Sequence, residues 1–231
     1  DSGAATAVTR GLNGLIPARA DNLNQYVTTL VEWHDLARRT SFNLFASQGD
    51  GRRIMQDTTM SVINRQIDSD IITELNTATQ DTGTAATASL SMVMYGIAIL
   101  GNNAVELDGN VSAIITPAFH AYLMQTKEFA SGDYVGSKPF SGQRMTYNWA
   151  GVNFIVHPNL PGKGTAAEKC FLFHKNAIGH AINTGGIDSK VGYDEEQDYS
   201  FARCTAFMGS KVLQNSGIVV MNHDGSAYAA Q

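Results

Sequence analysis

The stretch MSVINRQIDSDIITEL, residues 60–75, carries the clearest structural signal in the chain. Its apolar residues recur at spacings of three and four: Met60, Ile63, Ile67, Ile71 and Leu75. This spacing places them on one face of an α-helix. The pattern predicts a long amphipathic helix over residues 51–80, with Asp50 or Asp57 capping its start.

The residues before this helix alternate in polarity. The runs NQYVTTLVEW (24–33) and TSFNLFAS (40–47) each place apolar and polar residues on opposite faces, with a charged stretch between them. Two such runs predict a long hairpin within residues 21–50, although a helix over residues 24–37 also fits. Residues 1–20 are small, polar and rich in glycine, which is typical of an extended arm.

After the helix, elements of both kinds follow without strict alternation. A buried helix is predicted over residues 86–100, and a strand at 111–117 is followed by a helix. The stretch RMTYNWAGVNFIVHPNLPG (144–162) predicts an aromatic hairpin with its turn at residues 149–151. A buried strand KCFLFH, a short helix KNAIGHAIN and two final strands, within YSFARCTAFMGSKVL and SGIVVMN, complete the chain. The order indicates an α+β fold.

Composition excludes several classes of protein. The 231 residues are only 16% charged, with a net charge of −5, so a dedicated nucleic-acid binder is not expected. No apolar run is long enough to span a membrane. The two cysteines, Cys170 and Cys204, do not make a disulfide framework and are expected to be buried thiols. The chain begins at Asp1 rather than Met, which indicates processing or a preceding segment.

No catalytic or cofactor-binding constellation stands out. His174 and His180 are six residues apart and do not match the zinc spacing H-E-x-x-H. The acidic run YDEEQD (193–198) lacks the spacing of a calcium loop and is expected to be solvated. His223 and Asp224 leave open a hydrolase, although an Asp-Gly pair is more simply a turn. No catalytic residue, metal ligand or cofactor is therefore expected.

Three stretches together resemble a known family. RMTYNWAGVNFIVHPNLPG, KCFLFHKNAIGHAI and DYSFARCTAFMGSKVLQNSGIVVMNHDG follow in the order found in tailed-bacteriophage major capsid proteins of the Hong Kong 97-like fold. The resemblance lies in the order of parts along nearly the whole chain. It implies that the aromatic hairpin is core and capsomer wall and not a ligand pocket, since such side chains commonly pack.

The resemblance also implies a division of the chain. The expected parts are an N-terminal arm (1–20), an extended loop (21–50), a spine helix with peripheral domain (51–110), an axial domain (111–198), and a returning peripheral strand with a final axial strand (199–231).

The implied function is a non-enzymatic structural one. Such a protein self-assembles into hexamers and pentamers that form an icosahedral virion shell around viral double-stranded DNA, without reading its sequence. Scaffold, portal and decoration proteins are possible partners, and assembly would take place in the host cytoplasm. An encapsulin-type bacterial compartment shares the fold and remains the alternative. The candidates for intersubunit contacts are Trp33, Arg38, Arg39, Arg52 and Arg53.

Some members of this family join neighbouring subunits through an isopeptide bond from a lysine on the extended loop to an asparagine. Here every lysine follows residue 126, so the predicted loop carries arginines only. The guanidinium stays protonated and is a poor nucleophile. The sequence therefore predicts a shell without this cross-link.

Overall fold

The computed structural model describes residues 7–10, 12–14, 16, 25–46, 49–130 and 146–229. The helices are α1 (Ser41–Ala46), α2 (Gly51–Leu75), α3 (Leu90–Asn102), α4 (Pro117–Met124) and α5 (Lys127–Ala130). The strands are β1 (Val31–Thr40), β2 (Val111–Ile115), β3 (Thr146–Trp149), β4 (Val152–Val156), β5 (Glu168–His174), β6 (Ile178–Ile182), β7 (Asp188–Asp194), β8 (Tyr199–Val212) and β9 (Ile218–His223). The class is α+β, as the sequence predicts.

The long strand β8 organises a four-stranded antiparallel sheet. β1 pairs with it from Val31↔Met208 to Thr40↔Tyr199. On the other side of β8, β7 pairs with its first half and β6 with its second half. One face of this sheet packs on α2, where Ile63, Cys204 and Ala206 form a small buried cluster.

The second sheet has five strands in the order β3-β4-β2-β5-β9. β2 and β4 are parallel, and the other pairs are antiparallel. The main core of the molecule lies on this sheet and includes Val93 and Leu100 of α3 and Phe119 of α4. Gly96 lets α3 approach closely, because a Cβ there would lie 3.1 Å from the side chain of Leu172.

The predicted long helix is α2. Asp50 caps it, since its carboxylate accepts a hydrogen bond from the Arg53 backbone N–H. The buried stripe is rotated slightly from the predicted one, because Ile67 is only half-buried while Met55, Thr59 and Ile72 are buried. The helix ends at Leu75, five residues before the predicted end.

The hairpin predicted within residues 21–50 is wrong. Residues 31–40 form a strand, but its partner is β8, and residues 41–46 form α1. Thr40 explains the change of structure, because its Oγ1 accepts from the Asn43 backbone N–H at 3.4 Å and caps the new helix. The alternative helix over residues 24–37 is also wrong. Most of the predicted arm lies outside the described residues.

The helix predicted for residues 175–183 is also wrong. After a single 3₁₀ turn at Lys175–Ala177, residues 178–182 form β6. Gly179 weakens a helix there, and the second half of β8 offers five paired positions. Strand β7 was not predicted. The predicted axial range 111–198 thus contains two strands of the β8 sheet.

The aromatic hairpin of the sequence is confirmed as β3 and β4, joined by Ala150 and Gly151. Both turn residues have positive φ, which suits a tight two-residue connection. The rings of Trp149 and Phe154 pack against Phe129. All three rings belong to the main core, so the hairpin is part of the packed core of the five-stranded sheet.

Candidate assembly surface

The most buried polar cluster of the described residues joins three elements. Glu168 on β5 accepts hydrogen bonds from Thr116 Oγ1 at 2.7 Å and from the Gly164 N–H at 2.5 Å. Its Oε2 lies 3.7 Å from Nε2 of His223, and neither side chain is more than 1% exposed. A cavity of about 280 Å³ opens beside this cluster, but both oxygens of Glu168 are already occupied. The cluster therefore fixes the start of α4 against β5 and β9.

His223 and Asp224, the candidates for a hydrolase, lack a catalytic arrangement. The ring of His223 is enclosed by the edges of Phe119 and Tyr122, and its Nδ1 lies 3.2 Å from the Ala86 carbonyl oxygen. Burial lowers the pKa of His223. Asp224 accepts from the N–H and hydroxyl of Ser226, which is the predicted turn chemistry. The two residues serve the fold.

A second polar cluster lies where α2 meets β6 and β8. Ser210 Oγ lies 2.5 Å from Asp70 Oδ2 and 2.9 Å from Nδ1 of His180. The serine stands between the other two groups, whereas a hydrolytic triad needs the histidine between serine and carboxylate. This arrangement links the helix to the sheet. No group of three potential metal ligands occurs among the described residues.

Thiol chemistry is also disfavoured. Cys170 is fully buried, and burial raises the pKa of its thiol to about 12. Cys204 is buried as well, with its sulfur 3.4 Å from Thr59 Oγ1. Both are free thiols inside the fold, as the sequence predicts.

Trp33, one of the five predicted contact residues, lies within the subunit, between the helix α2 and the four-stranded sheet. It packs against the buried cluster of Ile63, Cys204 and Ala206. Its indole nitrogen is buried with no hydrogen-bond partner among the described atoms. Trp33 therefore holds β1 on α2.

The four predicted arginines are exposed at two places. Arg38 and Arg39 lie near the end of β1, and the guanidinium of Arg38 stands 4.9 Å from the centre of the Tyr199 ring. Arg52 and Arg53 lie in the first turn of α2, where Arg53 pairs with Asp57 at 3.8 Å. Within the described part of the chain, neither Arg39 nor Arg52 has a carboxylate within 4 Å.

The acidic run 193–198 forms the tip of the β7–β8 hairpin. Asp194 accepts from two backbone N–H groups of the turn, and Asp198 has a positive φ of 48°. Asp198 also accepts from Tyr193 and from Ser41 Oγ, which ties the tip to the start of α1. These hydrogen bonds lower the pKa of Asp198. The run is a structured hairpin tip.

The surface that sequence reasoning missed is the open side of the four-stranded sheet and its β1 edge. Leu36 and Phe207 are 40% exposed there, and Val31 is 49% exposed. Val27 and Leu30, just before β1, are also exposed. The predicted alternation covered residues 24–33 and so only the start of β1, and the sequence did not reveal its partner β8, so the exposed face could not be assigned. Exposed apolar side chains grouped beside an open edge are typical of a surface that contacts another protein.

Comparison with known proteins agrees with an assembly role. Residues 28–224 match the family model described as phage capsid protein. A comparison with curated protein sequences gives no match.

Solved structures share the fold at low sequence identity. A structure of Mycobacterium phage Che8 matches with a TM-score of 0.70 and 16% identity, over 89% of this chain and 76% of the other. The capsid of cyanophage P-SCSP1u matches with a TM-score of 0.68 and 11% identity, over 96% and 81%. An encapsulin complex from Synechococcus elongatus matches with a TM-score of 0.59 and 14% identity, over 92% and 80%.

None of the described helices is long and apolar enough to cross a membrane. The family match covers most of the chain, including every strand of both sheets and the long helix α2. The chain therefore belongs to the phage capsid protein family, whose members are structural shell proteins.

Proposed function

We propose that this protein is the major capsid subunit of a tailed phage and that it assembles into hexamers and pentamers of an icosahedral shell. The observation that carries the proposal is the family match over residues 28–224, on a fold that combines two sheets with the long helix α2. Assembly would take place in the host cytoplasm, with a portal, scaffold and decoration proteins as candidate partners.

The two sheets supply the two parts of such a subunit. The five-stranded sheet with α3 and α4 is the proposed axial domain, which surrounds the centre of each capsomer. The four-stranded sheet with α2 is the proposed peripheral domain. In this division residues 178–194 belong to the peripheral domain, because β6 and β7 pair with β8.

The enclosed material is proposed to be double-stranded DNA held without sequence readout. The net charge of −5 and the lack of a basic run favour a container rather than a tight phosphate-binding surface. Retention of the DNA then depends on closure of the shell and not on affinity of the subunit for bases.

The test is to purify particles from phage-infected cells, treat them with nuclease, and image them by cryo-electron microscopy. Rings of six and five subunits around nuclease-protected DNA are expected. Shells that hold a protein cargo and no DNA would favour an encapsulin-type compartment. Purified chain that forms no rings under any assembly condition would overturn the proposal.

A further inference from the structure

β1 is a long strand at the edge of its sheet. Within the described residues it pairs on one side only, with β8. In an antiparallel pair every second residue turns its N–H and C=O away from the partner strand. Among the described residues, the outer side of β1 therefore presents a row of backbone donors and acceptors without a strand partner, which is a template for another strand.

The charges of β1 are divided between its two halves. Glu32 and Asp35 lie in the first half, and Arg38 and Arg39 lie in the second, so the strand has equal numbers of acidic and basic side chains. Glu32, Arg38 and Arg39 are exposed, and Asp35 is partly buried. Two copies in antiparallel orientation would bring each acidic half against a basic half. A parallel arrangement would place like charges together.

Faces as well as charges match in the antiparallel arrangement. A two-fold axis perpendicular to the sheet keeps the solvent side of one copy continuous with that of the other. When Leu36 faces Leu36 of the second copy, Glu32 lies diagonal to Arg38 and Asp35 lies diagonal to Arg39. The two copies of Asp35 are also diagonal to each other, so the two-fold contact has four diagonal pairs of opposite charge and one of like charge. Diagonal neighbours are about 7–8 Å apart at Cα, within reach of an arginine side chain.

The edge strand β7 provides the contrast. Its sequence DSKVGYD has an aspartate at each end, Asp188 and Asp194. Antiparallel pairing of two β7 strands about Val191 would place the two aspartates opposite each other, and like charges directly opposite are destabilising. Self-complementary charge is therefore a property of the β1 edge and not of this second edge.

We propose that β1 pairs antiparallel with β1 of a second copy of this chain, about a two-fold axis near Leu36, with Glu32 diagonal to Arg38 and Asp35 diagonal to Arg39. This inference rests on the proposed shell function and deepens it. Adjacent subunits in a ring of five or six are related by a five-fold or six-fold rotation and contact each other heterologously, so a two-fold contact between neighbouring edges joins different capsomers. Subunits within a ring of five or six would use other surfaces.

The first test uses cysteine substitution of the full chain. Leu36→Cys is expected to give a disulfide-linked dimer on mild oxidation of assembled particles, because directly opposite residues in a sheet have Cβ atoms about 4.5–5.5 Å apart. The matched control is Val191→Cys, at a position of similar exposure on β7, which is expected to stay monomeric on a non-reducing gel. The native thiols Cys170 and Cys204 are buried and give little background.

The second test exchanges the charges. Glu32→Arg with Asp35→Arg gives one chain, and Arg38→Glu with Arg39→Glu gives another. Each chain alone is expected to form capsomers but at least about tenfold fewer closed particles than wild type. The reason is that every β1 edge then carries charges of one sign, and like charges across the contact repel. An equal mixture of the two chains is expected to restore particle yield, which a folding defect would not allow.

The outcomes separate this inference from the proposed function. If the wild-type chain forms closed particles but oxidised Leu36→Cys particles give no dimer, the β1 contact is overturned and the shell function stands. A mixture of the two charge variants that assembles no better than either chain alone would have the same meaning. Failure of the wild-type chain to form particles would overturn the shell function itself.

Discussion

At the scale of single residues, the loop before β5 depends on one glycine. Gly162 has a φ of +73°, and a Cβ built on it would lie 2.1 Å from the carbonyl oxygen of Ala167. This loop carries the Gly164 N–H that binds buried Glu168. Both the left-handed backbone and the close contact therefore require glycine at this position.

Gly162→Ala is expected to lower the free energy of unfolding by roughly 3 kcal/mol, since strain and overlap act together. Gly83→Ala is the matched control. Gly83 has a φ of +86°, but no described atom lies within 4 Å of its added Cβ. It should cost only about 1 kcal/mol. Urea unfolding of disassembled subunits measures both values, and equal losses would contradict the steric account.

Asp108 gives a prediction on acid stability. Hydrogen bonds from the Asn110 side chain and backbone, with a smaller effect of His174, lower the pKa of Asp108 to about 2 from 3.8. A carboxyl group with a lowered folded pKa stabilises the fold above its unfolded pKa and loses that contribution as pH falls toward the folded one. Asp108→Asn should therefore lower Tm at pH 5, and its difference from wild type should shrink between pH 4 and pH 2. A difference that stays constant to pH 2 would contradict this assignment.

At the scale of elements, the sequence was informative wherever local periodicity decided the structure. The spacing of Ile63 and Leu75 sufficed to find α2, and the alternation of residues 152–156 sufficed to find β4. The predicted strands covered residues 24–33 and 40–47, so only the two ends of β1 were expected to be extended and its middle was expected to be the charged connection. The partner strand β8 lies 159 (Thr40↔Tyr199) to 177 (Val31↔Met208) positions later, and no local pattern reveals such a pairing. The predicted hairpin therefore failed, as did the helix at residues 175–183.

The same limit applies to the candidate assembly surface. Arg38 and Arg39 are exposed on β1, as a contact role requires, whereas Trp33 faces α2. Trp33 and Arg39 lie on the same face of β1 and Arg38 lies on the other, so the position of α2 along the strand determines that Trp33 is covered and Arg39 is not. The sequence could nominate contact residues by type, but it could not show which of them the subunit itself covers.

The buried stripe of α2 makes a prediction for this element. Ile63 is 2% exposed and packs on β8, so Ile63→Asp would bury an unpaired carboxylate at a cost of several kcal/mol. We expect the variant to be insoluble. Asn64→Asp is the control, because residue 64 is exposed on the same helix. Normal yields of soluble Ile63→Asp protein would show that α2 does not pack on the sheet through this face.

At the scale of the whole molecule, the position of the lysines limits how a shell can be held together. All seven follow residue 126, while the edge strand β1 and the start of α2 carry arginines only. Apolar burial, strand pairing and arginine–carboxylate contacts would then have to hold neighbouring subunits together, without an isopeptide bond from this region.

Mature particles boiled in detergent under reducing conditions are therefore expected to give a single band at the mass of the monomer on a denaturing gel. The absence of a lysine nucleophile in residues 1–126 is the chemical reason. A ladder of higher multimers would show that one of the later lysines forms a covalent link between subunits.

The central claim is that this chain is a shell subunit, and the mass of its native assembly tests it most directly. Sedimentation velocity of the purified full-length chain, under conditions that favour assembly, is expected to show closed particles on the order of megadaltons with free capsomers as the main smaller species. A single species at 24.8 kDa, unchanged over a wide range of concentration, salt and pH, would contradict the account.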